Sequence, residues 1–216
     1  MKKIKLKICG MKHNVAQVAA LQPDYLGFIF FEKSPRNFDK EVLDIPNHIK
    51  RVGVFVDAPI SFIIKQTIAF NLDVIQLHGD ETVFLINEIN KSLYNSRSKI
   101  QKPNGIDIWK VFSVGDDFDF GKLSEFENVV DKFLFDTKGN AKGGNGFAFD
   151  WSVLKNYPSN KPFILSGGIS MENISEVKKL IEINLPIYGI DVNSKFEKSP
   201  GLKNISALKI LIQQFA

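Results

Sequence analysis

The sequence predicts an α/β protein, a (β/α)8 barrel of the TIM type folded as a single domain over residues 1–216. Two observations point there. Short apolar runs recur eight times along the chain, and stretches of helical periodicity lie between them. A length of 216 residues suits eight such units in one closed barrel, whereas an open flavodoxin-like sheet would need only about five or six strands.

The units follow in order. The first run, 4–9 (IKLKIC), alternates lysines with apolar residues, and a helix is expected over Asn14–Leu21. The second, 25–31, precedes a helix over Lys40–Ile49. The third, 51–56, leads to a helix over Ser61–Asn71 capped by Ser61. The fourth, 73–78, leads to Glu81–Leu93, capped by Asp80. A polar stretch, Asn95–Gly105, reads as a loop. The fifth run, 108–112, precedes a short helix over Asp119–Glu127. The sixth, 132–137, is followed by a glycine-rich stretch and a helix over Trp151–Tyr157 capped by Asp150. The seventh, 162–167, precedes Met171–Ile183, capped by Ser170, and the eighth, 187–192, precedes Ser206–Phe215.

Composition narrows the functions. A hydrophobic share of 44% with 24% charged residues describes a soluble globular protein. A net charge of +4 without a clustered basic patch argues against nucleic acid and suits a small anionic substrate. The single cysteine rules out an internal disulfide and fits a reducing, cytoplasmic setting. The N-terminal MKKIKLKICG alternates as a strand does and lacks a signal-peptide core, and no apolar run reaches membrane-spanning length. No membrane partner is expected.

Side chains alternate across a strand. If Ile4, Leu6 and Ile8 pack beneath the helices, Lys7 and Cys9 point into the barrel. By the same rule Gln76 and His78 point inward from the fourth strand, Leu134 and Asp136 from the sixth, and Asp191 and Asn193 from the eighth, with Tyr188, Ile190 and Val192 outward. Each residue alone has a plain structural alternative: an inert buried thiol, a satisfied strand-end histidine. Four strands bringing polar groups to their C-terminal ends describe a site, because that face carries barrel chemistry and unpartnered buried polar groups are costly.

An anion fits three neighbouring loops: Gly144 and Gly146 after the sixth strand, Gly167 and Gly168 after the seventh, and Ser194 after the eighth. Glycine lets backbone N–H groups approach a phosphate closely. The lysine and serine of a nucleotide P-loop are missing. A phosphosugar anchored there would have Asp136 on one flank and Cys9 on the other, one able to give a proton and the other to remove one.

The chain resembles the phosphoribosylanthranilate isomerase family of tryptophan biosynthesis over nearly its whole length. The markers are KICG (7–10), GFIF (27–30), SPR (34–36), RVGVFV (51–56), QLHG (76–79), FDT (135–137), GGNGFAFDW (143–151), LSGG (165–168) and DVNS (191–194). The resemblance implies an aldose–ketose isomerase, an intramolecular oxidoreductase. It would convert N-(5'-phosphoribosyl)anthranilate to 1-(2-carboxyphenylamino)-1-deoxyribulose 5-phosphate by an Amadori rearrangement. It further implies Cys9 as general base, Asp136 as general acid and Arg36 against the anthranilate carboxylate, without metal or organic cofactor; Asp191 is the rival acid, but the resemblance favours Asp136, with Asp191 orienting the sugar hydroxyls. Lys7 is expected to stabilise the Cys9 thiolate, the substrate, or both, with Gln76 and His78 on the floor. Lys195 departs from the family's usual glycine after Ser194. The chain would act as a monomer or homodimer. Rival expectations are a metal-dependent phosphosugar epimerase, a lysine–glutamate synthase of the same fold, and a non-catalytic phosphosugar binder.

Overall fold

A computed structural model describes residues 4–40, 45–100, 102, 105–137 and 150–215. Eight parallel strands close into a barrel in sequence order: β1 (Lys5–Ile8), β2 (Tyr25–Ile29), β3 (Lys50–Phe55), β4 (Val74–Leu77), β5 (Asp107–Val114), β6 (Lys132–Thr137), β7 (Phe163–Leu165) and β8 (Ile187–Val192). Each falls on one of the eight apolar runs. The seam closes between β1 and β8, where Lys7 stands opposite Asp191.

The outer layer is less regular than expected. Helices α1 (Val15–Ala19), α2 (Ile60–Ala69), α3 (Val83–Asn95), α4 (Ile174–Glu182) and α5 (Ile205–Gln213) follow β1, β3, β4, β7 and β8. After β5 and β6 the connections are 3-10 stretches, Phe120–Phe126 and Trp151–Asn156. The helix expected over Lys40–Ile49 is not formed in its described part: Ile45–Ile49 is turn and irregular chain. Pro46 lies inside that segment and has no N–H for a helical ladder; residues 41–44 lie outside the described residues.

Two of the expected caps hold their helices differently. Thr82, not Asp80, caps α3 by accepting from the Leu85 N–H, and α2 starts after Pro59, ahead of Ser61. Ser170 instead shapes the turn before α4, its N–H donating to Asn173 Oδ1 at 2.8 Å and its hydroxyl accepting from the Glu172 N–H. Asp150 caps Trp151–Asn156 as expected.

Apolar packing forms two layers. The larger lies between strands and helices and contains Ile8, Ile75, Leu77, Phe133, Phe135, Ile190 and Val192. The smaller fills the barrel with Tyr25, Val52, Val74, Trp109, Val111, Leu134 and Ile164. Tyr188 packs against this inner set and not outward as alternation predicted. The cause is a bulge: Phe163 and Ile164 pair with Ile187 and Gly189, so β8 carries an extra residue there and its phase shifts. Gly189 passes so close to the Lys5 carbonyl that a side chain could not fit.

The N-terminal face is pinned by aspartates. Asp24, Asp73 and Asp131, each just before an even-numbered strand, accept from the backbone N–H groups of Leu6, Arg51 and Ile108 at 2.7–2.9 Å. At the opposite end, a hairpin that sequence reasoning missed joins β8 to α5: β9 (Glu197–Ser199) runs antiparallel to β10 (Leu202–Lys203). Its signal was Pro200-Gly201, a turn pair whose glycine takes φ +81°. No described helix is long and apolar enough to cross a membrane.

Candidate active site

The inward phase of β1 ends in Lys7 and then Cys9, both buried. Lys7 Nζ donates to Asp191 Oδ2 at 2.8 Å across the β1–β8 seam. The Cys9 N–H donates to the Val192 carbonyl at 2.9 Å, which holds the thiol at the rim of the barrel. Gly27 on β2 makes room for both side chains, since a Cβ there would lie 2.9 Å from Cys9 Sγ and 3.1 Å from Lys7 Nζ. Gly27→Ala is therefore expected to displace the thiol, lowering turnover while costing about 1–3 kcal/mol of stability. Paired rate and thermal-unfolding measurements check it.

Charges at this seam act on one another. Burial pushes the Cys9 thiol up, and the nearby Lys7 and Lys203 ammonium groups oppose that push without reversing it. Lys7 thus pulls toward the thiolate, and burial outweighs that pull. Burial also works against the Lys7 charge; the Asp191 carboxylate and Cys9 more than offset it, so Lys7 rises. Asp191 is itself pushed up by burial, with Lys7 pulling it back.

Across the mouth stands Asp136 on β6, 8% exposed. Its Oδ1 accepts from the Thr137 N–H at 3.0 Å, and its Oδ2 lies 3.4 Å from His78 Nε2. His78 directly follows β4, its own N–H tied to the Phe55 carbonyl. Four buried polar atoms here have no hydrogen-bond partner among the described residues: Gln76 Oε1, His78 Nε2, Thr137 Oγ1 and Asp191 Oδ1. Such groups are costly when left unpaired, and a polar ligand in the barrel mouth would relieve that cost. Thr137 belongs to the FDT marker but was given no role from sequence.

Arg36, in the loop after β2, grips Glu197 with Nε at 3.1 and 3.0 Å and Nη2 at 2.7 Å. Its stem passes Gly10, where a Cβ would stand 2.8 Å from Arg36 Cδ and 2.6 Å from Asn193 Oδ1. The loop after β7 turns through Gly167 at φ +84° and Gly168 at φ +67°, conformations that favour glycine. Asn173 Nδ2 anchors this loop through the Gly168 carbonyl at 2.9 Å. Ser194 opens the 3-10 turn Ser194–Phe196 and is half-buried, while Lys195 is exposed. Gly144 and Gly146 lie outside the described residues.

Fold and site together describe a closed (β/α)8 barrel with its titratable side chains gathered at the C-terminal mouth. Comparison with known proteins narrows that class. The family model for N-(5'phosphoribosyl)anthranilate (PRA) isomerase matches residues 6–214. An N-(5'-phosphoribosyl)anthranilate isomerase of Parabacteroides distasonis is 38% identical, covering 97% of this chain and 92% of that relative. The Campylobacter jejuni protein of the same name is 36% identical, with 98% of each chain covered. The crystal structure of the Thermus thermophilus phosphoribosyl anthranilate isomerase superposes with a TM-score of 0.78 at 25% identity, covering 98% of both chains. The chain belongs to the N-(5'-phosphoribosyl)anthranilate isomerase family.

Proposed function

We propose that the protein interconverts an aldose and a ketose within one molecule, turning N-(5'-phosphoribosyl)anthranilate into 1-(2-carboxyphenylamino)-1-deoxyribulose 5-phosphate for tryptophan synthesis. Asp136 gives its proton to the ribose ring oxygen as the bond from C1 to that oxygen breaks, and the nitrogen lone pair forms a C1=N iminium. Cys9, as thiolate, takes the C2 proton. The released electron pair makes a C1=C2 bond and neutralises the nitrogen. Tautomerisation of this enolamine then protonates C1 and leaves a ketone at C2. C1 is reduced and C2 oxidised, so no external redox partner is required.

The observation that carries this reading is the buried Lys7–Asp191 pair, 2.8 Å across the β1–β8 seam, with buried Cys9 two residues beyond Lys7 and buried Asp136 at the end of β6. Thiol and carboxyl would then act across one barrel mouth. In it, Asp191 and the unpaired polar atoms of Gln76, His78 and Thr137 would meet the sugar hydroxyls. Backbone groups at Gly167, Gly168 and Ser194, with Gly144 and Gly146, would hold the phosphate. Arg36 would face the anthranilate carboxylate, which suits a planar guanidinium.

Mixing purified protein with freshly generated phosphoribosylanthranilate and following anthranilate fluorescence tests the activity. Catalysed loss of the signal is expected, unaffected by a chelator. A rate equal to the protein-free control would overturn the assignment.

A further inference from the structure

Arg36 does not stand alone at the mouth. Its guanidinium lies in a fork-on-carboxylate arrangement with Glu197, the first residue of β9. Glu197 is in turn held from its other side. Lys203 Nζ, on β10, donates to Glu197 Oε1 at 2.7 Å, and the Gly201 N–H donates to the same oxygen at 3.1 Å. Lys203 also reaches Asn193 Oδ1 at 2.8 Å and lies 3.4 Å from the Asn193 carbonyl. Its β10 backbone is tied to α1's cap, since the Lys203 N–H donates to Asn14 Oδ1 at 2.9 Å.

This cluster is almost dry: Lys203 has a 0% and Glu197 a 4% exposed side chain, Arg36 14%. It holds two cations against one carboxylate. A buried excess of positive charge is unfavourable unless an anion completes it. Arg36 uses Nε and Nη2 on Glu197, and no bond of its remaining terminal nitrogen, Nη1, is made among the described residues.

We propose that Glu197 is a positioning residue for substrate recognition: it fixes the plane of the Arg36 guanidinium for the substrate's aromatic carboxylate, and Lys203 locks Glu197 to the β8 rim. The β9–β10 hairpin is thereby part of the specificity apparatus, although it does not touch the reacting carbons. The proposal rests on the reading that Arg36 meets the carboxylate. Arg36 belongs to a long loop after β2, and a guanidinium on such a loop would sample many orientations. A carboxylate gripping two of its nitrogens removes that freedom before the substrate arrives, which is preorganisation.

Burial works against the Glu197 charge, and Arg36 and Lys203 more than reverse that effect, holding its carboxyl below the ordinary range. The anchor therefore stays ionised.

The test compares kcat and KM for Glu197→Gln and Arg36→Met, singly and together. Each is measured on the natural substrate and on its aniline analogue, which lacks the carboxylate. Glu197→Gln is expected to raise KM for the carboxylated substrate about 10–100-fold, the scale of a positioning defect, with a smaller change in kcat. It should leave the aniline analogue unaffected, and add nothing once Arg36 is already methionine. A raised KM in Arg36→Met beside an unchanged KM in Glu197→Gln overturns the proposal and leaves the reading of Arg36 intact. Equal losses on both substrates also overturn it, since they mean a general structural role. An unchanged KM in Arg36→Met overturns the underlying reading. If Glu197→Gln does not fold, the double variant Glu197→Gln/Lys203→Met, which removes one charge of each sign, carries the same comparison.

Discussion

Asp136→Asn is expected to lower kcat by about 10²–10⁴-fold, the usual range for a positioned general acid, with the barrel intact. Asparagine has nearly the same shape, and its oxygen can still accept from the Thr137 N–H, the contact that orients Oδ1. What it lacks is the transferable proton that the proposed mechanism requires of this position. The neighbouring His78, 3.4 Å from Oδ2, remains in place. Anthranilate fluorescence gives kcat, and a thermal melt shows whether the fold survives. A normal melt with unchanged kcat would remove Asp136 from the donor's role. Cys9→Ala should match it in depth, because in the proposed mechanism the two groups act in one sequence and neither substitutes for the other.

Lys7→Met is expected to damage both stability and activity. The ammonium lies in the barrel with only 1% of its surface exposed and pairs directly with Asp191. Removing one partner of a buried pair leaves the other uncompensated, at about 3–5 kcal/mol, read as a lower unfolding midpoint. Adding Asp191→Asn should recover part of that stability and none of the activity.

The same variant probes the thiol. Cys9 is the only cysteine, so the pH dependence of alkylation reports on it alone. Burial already sets this thiol above its ordinary value, and Lys7 is the strongest opposing charge. Without Lys7 the alkylation midpoint should move further up; an unchanged midpoint rejects the electrostatic role. The sign for stability follows from linkage. A thiol raised in the folded state contributes stability that is fully present below its unfolded value, about 8.5, and lost as pH rises through the folded one. The wild-type unfolding midpoint should therefore fall on the alkaline side.

Much of the fold could be read directly from residue patterns. Parallel barrel strands are buried on both faces, so they write near-continuous apolar runs, and all eight were found within a few residues of their ends. The helices were harder. A helical pattern over Lys40–Ile49 ignored what Pro46 removes, and Asp80 looked like a cap although Thr82 is the one that meets a free N–H. Tyr188 defeated strict alternation because a bulge has no fixed sequence mark.

The candidate site was legible where it sits on strands. Lys7, Gln76, Asp136 and Asp191 all take the inward phase, and Cys9 and His78 continue it just past their strands. It was illegible where it sits on connections. Glu197 and Lys203 lie in a run of charged and small residues that resembles solvated surface; only their enclosure under Arg36 and Asn193 reveals otherwise. Arg36 was expected to meet a ligand, but nothing in its local sequence announced the carboxylate that already holds it.

The extra residue in β8 has a lasting consequence. Residues three apart on a regular strand face opposite ways, yet Tyr188 and Asp191 both look inward. One strand thereby fills the barrel floor with an aromatic ring and still carries a carboxylate to the mouth. Gly189 lies between the two and is pressed against the Lys5 carbonyl, so floor and mouth are joined through a position that admits no side chain.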